Sequence, residues 1–445
     1  MKLSLLTATA LLFSTFFVGC GDNFNSDNFA TKVYPTYPST TGRFIDAGVE
    51  GLNYTIAIDE SLITPDTAMN TTEAGGNFEY LYGEILLFKI GNLTLGKAVA
   101  LSTITPKDIV SYENLELNTS IYAPEVNNRV RLLISLDTDN DPDNGITISP
   151  TMQEQAKSWD THIDYSLSES AFTTALNAVT KGDIATVATK AEAEAHFAKS
   201  LRCVYSGAYR GSWLIEGKKE GFVGVMIQAD GVIVALGDGQ DINNDGNYSE
   251  VIYSKGIHNM DTGYYNFDST YHFDTEAGRI VSSDLTDING SGSSQGYNTV
   301  NGLFVQVVDG NTFEGSYTAS RVGEGSDTSY RYTGYGYQNA QGIDAADVND
   351  SILGLFSFDV RNDGNVTGLI HDARTNAEPS LTGNINFQTG EVKLDLNSGL
   401  GHTVSGNINF ETNSSNVLLN WYDANGVILG YIQGIGCQLQ PPLNN

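Results

Sequence analysis

The chain has 445 residues, 53 of them acidic and 23 basic, for a formal net charge of −30 at pH 7. So negative a surface repels nucleic-acid phosphates and anionic lipid headgroups, which excludes both as partners, and it attracts cations, divalent ones above all. With 40% hydrophobic residues, 47 Gly, 23 Tyr and 19 Phe, the composition predicts folded, β-rich domains rather than a disordered chain.

In chain order, Lys2 precedes the apolar run Leu3 to Val18, which is too short for a comfortable membrane span, and Gly19 then precedes Cys20. Residues 1–19 read as a cleaved targeting peptide. The stretch FFVGC resembles the lipobox of bacterial lipoproteins, in which the cysteine sulfur receives a diacylglycerol and cleavage falls just before it. Phe17 stands where that pattern usually has Leu. The alternative is an ordinary secretory signal with an incidental cysteine. The resemblance implies a lipidated, palmitate-bearing Cys20, and Gly21 rather than Asp after it implies transport to the outer membrane. Residues 20–43 are rich in Asn, Ser, Thr and Pro and lack hydrophobic periodicity, so they read as a flexible tether. Two or three acyl chains anchor stably where one does not.

Residues 44–200 alternate apolar and polar positions and then turn helical. Tyr54, Ile56 and Ile58 share one strand face, and Phe78 and Tyr80 another. Val126, Val130, Leu133 and Ile134 recur at helical spacing behind Pro124, and SESAFTTALNAVT and TKAEAEAHFAKSL predict two more helices. A small β sandwich or roll leading into a few helices is expected. With GLNYT, GGNFEYLYGE, FKIGNLTLG, RLLISLDTDNDPDNGI and AEAEAHFAKSL in that order, this region resembles a domain of proteobacterial surface lipoproteins described as adhesin-like. That resemblance implies location and architecture, not chemistry.

Residues 201–437 are strands and tight turns almost without helix. Cys203 and Cys437 bracket them, and in an oxidising compartment two spare cysteines pair, which predicts a Cys203–Cys437 disulfide with the first and last strands side by side. GFVGVMIQADGVIVALGDG and GLFSFDVRNDGNVTGLIHD read as two copies of one hairpin, with Asp230-Gly231 and Asp363-Gly364 expected at two-residue turns. SGNINF later echoes TGNINF. The predicted class is mainly β: tandem antiparallel β barrels or sandwiches, or one large duplicated barrel, followed by a C-terminal tail, residues 438–445. The texture alone resembles β barrels of ligand-binding surface lipoproteins.

Calcium is the cofactor with local support. Asp241, Asn243, Asp245 and Gly246 follow a D-x-N-x-D-G pattern that turns alternate oxygens inward. Ile252 stands where an EF-hand-like loop wants its twelfth-place acid, leaving Glu250 to complete the shell. A solvated turn is the alternative reading. A second run offers Asp137, Asp139, Asp141 and Asp143; an acidic surface loop is the stronger expectation there and calcium the weaker. GSSQG fits G-x-S-x-G around Ser294 but has no helix after it, so chance explains it better. His162, His196, His258, His272, His371 and His402 show no paired-ligand spacing. Tyr330, Tyr332, Tyr335 and Tyr337 form an aromatic row, read first as barrel core and second as a sugar-stacking platform.

No catalytic motif rises above chance. The expected function is a non-enzymatic binding or adhesion lipoprotein, lipid-anchored at the bacterial outer membrane and facing outward. Its expected ligand is a glycan or a matrix protein. The alternatives are a lipid-anchored polysaccharide-active enzyme and a periplasm-facing structural envelope lipoprotein.

Overall fold

A computed structural model describes residues 39–57, 69–115, 119–215, 219–238, 251–274, 279–282, 287–294, 296–308, 311–323, 325, 327–338, 352–373, 377–410 and 415–442. From residue 39 onward the chain forms one compact unit. Its first part is built of short strands. Thr40–Phe44 pairs antiparallel with Asn77–Tyr80 and parallel with Thr103–Ile104. A second sheet runs Asn70–Thr71, Asn53–Ala57, Ile85–Ile90, Leu93–Val99 in spatial order. Tyr54, Phe78 and Tyr80 are buried, as the alternation predicts, and join Phe44 and Phe88 in an aromatic cluster with centroids 4.8 to 5.9 Å apart.

Five helices occur among the described residues: α1 (Pro106–Asn114), α2 (Pro124–Ser135), α3 (Pro150–Ala156), α4 (Glu169–Val179) and α5 (Lys190–Tyr205). Helices α2, α4 and α5 lie where helical spacing predicts them. Helix α5 opens on a capping box in which Thr189 and Glu192 satisfy each other's backbone N–H groups. Helices α1 and α3 are additional; each starts at a hydroxyl residue followed by proline, Thr105-Pro106 and Ser149-Pro150. A division near residue 200 falls inside α5, which buries Phe197, Leu201 and Tyr205 in a core shared with the strands that follow. The chain does not break there.

From Gly207 onward the choice between barrels and sandwiches resolves into two successive closed antiparallel barrels of eight strands each. The first comprises Gly207–Ile215, Lys219–Ile227, Val232–Asp238, Val251–His258, Tyr264–Asp274, Asp287–Ser293, Thr299–Val308 and Asn311–Arg321, and closes where the first strand pairs with the last. A short strand, Arg279–Ser282, folds back on Tyr264–Asp274. The second comprises Thr328–Gln338, Ile352–Arg361, Asn365–Asp372, Ser380–Ile385, Glu391–Leu396, His402–Asn407, Asn416–Tyr422 and Ile428–Gln438, and closes from Tyr330 opposite Gln438 to Gln338 opposite Gly430. The two stretches that read as copies are the second and third strands of their respective barrels. Each follows a first strand carrying Tyr-Arg, Tyr209-Arg210 and Tyr330-Arg331.

Their turns differ from the two-residue expectation. Three residues separate Gln228 from Val232, and only Gly231 takes a positive φ, +91°; at the second copy Gly364 does so, at +86°. Asp230 and Asp363 keep ordinary φ, and their carboxylates accept the N–H groups of Val232 and Asn365 at 3.0 and 2.9 Å. This is a type I turn closed by a glycine bulge, in which Asp caps and Gly bends.

Burial along the strands reports how the barrels meet. Glu391–Leu396 alternates buried and exposed, the signature of one face on the lumen and one in water. Ile352–Arg361 is buried continuously from Leu353 to Val360. Its outer face packs on the first barrel, where Met226, Val234, Leu236 and Tyr253 meet Leu355 and Ala373.

The C-terminal end of α5 joins all three parts. Cys203, in its last turn, is disulfide-bonded to Cys437 of the last strand, with the Cα atoms 5.4 Å apart. The bond is as expected, but it links a helix to a strand: the first and last strands belong to different barrels and do not pair. Arg331 grips Asp359 at 2.7 and 3.0 Å and donates to the carbonyls of Cys203 (3.3 Å) and Ser206 (2.9 Å). Arg321, from the first barrel, donates to the carbonyls of Val204, Ser206 and Tyr297. Two guanidinium groups thus satisfy carbonyls that the helix leaves open, at the negative end of its dipole. Leu439 and Gln440, in the C-terminal tail, are 4% and 2% exposed. The Leu439 N–H donates to the Ser329 carbonyl at 2.8 Å. Gly75, at φ +72°, leaves the space Gln440 fills: a Cβ there would lie 1.7 Å from Gln440 Oε1.

Candidate functional site

The seam between the barrels holds a polar chain contributed by both. Tyr253 Oη lies 2.8 Å from His371 Nε2, His371 Nδ1 lies 3.5 Å from Glu378 Oε1, and Glu378 Oε2 lies 2.6 Å from Arg210 Nη2. Tyr253 and Arg210 come from the first barrel, His371 from the second, and Glu378 from the loop after it. His371, Glu378, Arg210 and Ser357 line a cavity of about 20 Å³, room for about one water molecule. Hydroxyl, imidazole and carboxylate stand in the order of a nucleophile, base and orienting acid. Burial, however, pushes the Tyr253 phenol far above its ordinary range, and the charges of Asp372 and Glu378 push the same way. The phenol therefore keeps its proton at neutral pH, and it shares one hydrogen bond with Nε2 across the seam. The arrangement works as a clasp across the seam. Sequence reading misses it because Tyr253 and His371 stand 118 residues apart.

Ser294 of GSSQG follows a strand end and sits in no strand-to-helix elbow. Its Oγ nevertheless lies 2.6 Å from His258 Nε2, a pairing that spacing does not reveal, and also donates to the Gly263 carbonyl at 3.0 Å. Ser294 has no exposed surface, and His258 is packed between the rings of Tyr205 and Tyr265. Burial pushes the imidazole down to about 4, and Lys107 nearby pushes the same way. A neutral imidazole beside a serine is thus present, but the single Ser294 hydroxyl proton goes to the Gly263 carbonyl and not to Nε2. Among the described residues Nδ1 of His258 has no hydrogen-bond partner, and none of their carboxylates orients the ring. The pair plugs the barrel mouth against α1, where Lys107 donates to the Asp261 carbonyl and Asp261 accepts from Ile121 N–H at 2.6 Å.

The other expected site residues fall as follows. Cys20 and the calcium loop, Asp241, Asn243, Asp245 and Glu250, lie outside the described residues. Tyr330 and Tyr332 belong to the second barrel's core, packed against Phe387, Phe410 and Phe358. Tyr337 is 6% exposed and stacks on Tyr431 at 5.1 Å, and Tyr335 packs into the inter-barrel cluster. Tyr330, Tyr332 and Tyr337 are buried and Tyr335 is half-buried, so the row packs as core, the first of its two readings. His162 is exposed, while His402 makes an edge contact with Trp421. His196 bridges Asp46 (3.0 Å from Nε2) and Asp143 (3.5 Å from Nδ1), so the acidic loop is partly tied to α5. Among the described residues no group of three or more His, Cys, Asp or Glu side chains is placed to hold a metal. No described helix is long and apolar enough to cross a membrane.

The fold defines a mainly β protein of two tandem eight-stranded barrels behind a mixed N-terminal part. No protein-family model matches the chain, and no curated protein matches it. Among solved structures, the chain matches a DUF3598-family protein of unknown function from Nostoc punctiforme PCC 73102. The match has 8% identity and a TM-score of 0.16, over 54% of this chain and 99% of that one. A likeness so slight carries no argument about function.

Proposed function

We propose that the protein is a lipid-anchored, outward-facing lipoprotein of the bacterial outer membrane and works as a non-enzymatic binding or adhesion module. The observation that carries this reading is how the side chains are distributed between inside and outside. The second barrel's lumen is filled by Tyr332, Phe356, Phe358 and Trp421, and both hydroxyl–imidazole pairs are shut from solvent. Outward, Leu214, Leu303 and Val305 stand 49%, 66% and 37% exposed on the first barrel's wall, with Leu214 and Leu303 each opposite Ser316. Adjacent apolar groups on a wall are material for a partner surface. The disulfide supports an oxidising compartment, and the Gly19-Cys20 run supports the anchor. A calcium ion on the Asp241 loop belongs to the same proposal. Cells fed labelled palmitate should yield labelled protein that Cys20→Ala leaves unlabelled, and protease added to intact cells should cut the body. A glycan and matrix-protein array, with and without calcium, should return a ligand that Leu303→Asp weakens. Labelling that survives Cys20→Ala refutes the anchor. Turnover on a polysaccharide panel with an empty array overturns the binding reading.

A further inference from the structure

The seam cavity carries an inference that does not depend on the proposed function. Its walls come from the outer faces of both barrels. Arg210 and His371 follow Tyr209 and Ile370, which face their barrels' cores, so their own side chains face the seam. Arg210 stands opposite Gly224, which has no side chain to fill the space beside the guanidinium. His371 stands opposite Leu355, with Ser357 two residues along the same strand face. The cavity, about 20 Å³, exceeds the roughly 10–15 Å³ that one water molecule needs. Two polar atoms of its lining residues, Arg210 Nε and His371 Nδ1, are shut from solvent with no hydrogen-bond partner among the described residues. His371 is 1% exposed, and the 3.5 Å from its Nδ1 to Glu378 Oε1 is too long for a direct hydrogen bond.

We propose that this cavity is a binding site for one buried water molecule, hydrogen-bonded to Arg210 Nε, His371 Nδ1 and the Glu378 carboxylate. The partners select the ligand. Arg210 Nε–H only donates and the Glu378 carboxylate only accepts, so a molecule that serves both must accept and donate. A halide cannot donate and would lie beside the carboxylate. An ammonium ion cannot accept and would lie beside the guanidinium. Water does both. It also serves His371 in either tautomer, by accepting from Nδ1–H or by donating to the bare nitrogen. The chain from Tyr253 to Arg210 then becomes one satisfied network, and the water ties a residue of the first barrel to a residue of the second.

Crystals of the full chain, compared before and after pressurising with xenon, make the test. A polar cavity that holds water refuses xenon, whereas a dry apolar one takes it up. The wild type should show an oxygen-sized peak within about 2.7–3.2 Å of both Arg210 Nε and His371 Nδ1, and no xenon. Arg210→Met combined with His371→Leu removes both unpartnered groups and should exchange the water for xenon. Ser357→Val fills the cavity with methyl groups, leaves the clasp residues in place and serves should the double variant fail to fold. In solution, ¹⁷O relaxation dispersion should count one long-lived water fewer in Ser357→Val than in the wild type. Xenon in the wild-type cavity overturns the proposal, as does a peak that scatters as an ion. A water that persists in the double variant, or a count unchanged by Ser357→Val, overturns it as well.

Discussion

Arg331 offers the most direct measurement of what binds the parts together. Replacing it by Met keeps the apolar stem and removes the guanidinium. Asp359, 5% exposed, then loses both of its 2.7 and 3.0 Å contacts, and the carbonyls of Cys203 and Ser206 lose a donor. Breaking a buried pair from one side costs about 3–5 kcal/mol, because the remaining charge stays buried without compensation. Against a total stability of roughly 5–15 kcal/mol this is a large share. For a unit as long as Ser39–Asn445, unfolding entropy scales each kcal/mol to about 1 °C, so the melting temperature should fall by roughly 3–6 °C. Urea and thermal unfolding, followed by near-ultraviolet circular dichroism, read the loss directly. The double variant Arg331→Met/Asp359→Leu removes the orphaned charge as well and should regain most of it, since a matched apolar pair is tolerated where a lone ion is not. A single variant that loses less than about 1 kcal/mol, the worth of an exposed pair, refutes the reasoning. A double variant no better than the single shows that the energy lies in the helix-end carbonyls instead.

Three further outcomes are expected. His196 sits between Asp46 and Asp143; burial alone would lower its pKa, but the two carboxylates outweigh burial and raise it to about 10. A folded pKa above the unfolded value gives stability that is complete below about 6.5 and lost as pH rises through about 10. The melting temperature should therefore decline over that window in the wild type and stay flatter in His196→Gln, and an NMR titration placing His196 near 6.5 refutes it. Denatured, unreduced protein purified from the envelope should show no reactive thiol at Cys203 or Cys437. Reduction should remove up to about 5 kcal/mol, the chain-entropy value for the 234-residue separation, whereas two titratable thiols rule the bond out in the cell. Calcium should raise the melting temperature by mass action through the Asp241 loop. Asp241→Ala with Asp245→Ala should remove most of that rise, and a rise that persists undiminished leaves the loop a plain acidic turn.

The β class, the helices α2, α4 and α5, and the cysteine pair were legible in the sequence because each rests on local periodicity or on simple counting. The hairpin copies were legible too, as Asp-Gly between apolar runs, although the turn around Gly231 has three residues and not two. Tandem barrels were among the expected forms, but the choice between two closed barrels, sandwiches and one large barrel was not legible. It depends on Tyr330 meeting Gln438 and Tyr209 meeting Arg321, pairings over a hundred residues apart that leave no local pattern. The seam clasp and the Ser294–His258 pair were hidden for the same reason. Tyr330 and Tyr332 illustrate a different limit. Tyrosines two apart on a strand fix a shared face, but only the closed barrel decides that this face is the lumen.

The buried continuity of Ile352–Arg361 constrains where any partner can bind. A strand covered on both faces has given one to the lumen and one to the neighbouring barrel, so the seam is occupied by protein and fixed by the Tyr253–His371 clasp. The first barrel is closed at one mouth by α5, where Tyr205 lies against His258 and Tyr297 at 4.7 and 5.0 Å. The second barrel's interior is filled with aromatic rings. What remains for recognition is outer wall and hairpin tips. At one end of the second barrel two tips adjoin, with Gly401 close to Ala424, and present Leu400 and Val427 at 61% and 59% exposure. Side chains at such tips are held only by their own turns, here by Asp423 accepting the N–H groups of Asn425 and Val427 at 2.8 Å. They can therefore change without cost to either core, whereas Arg331, Cys203 and Tyr253 cannot. Under the proposed binding role, recognition would therefore fall on residues that the stability of either barrel does not use.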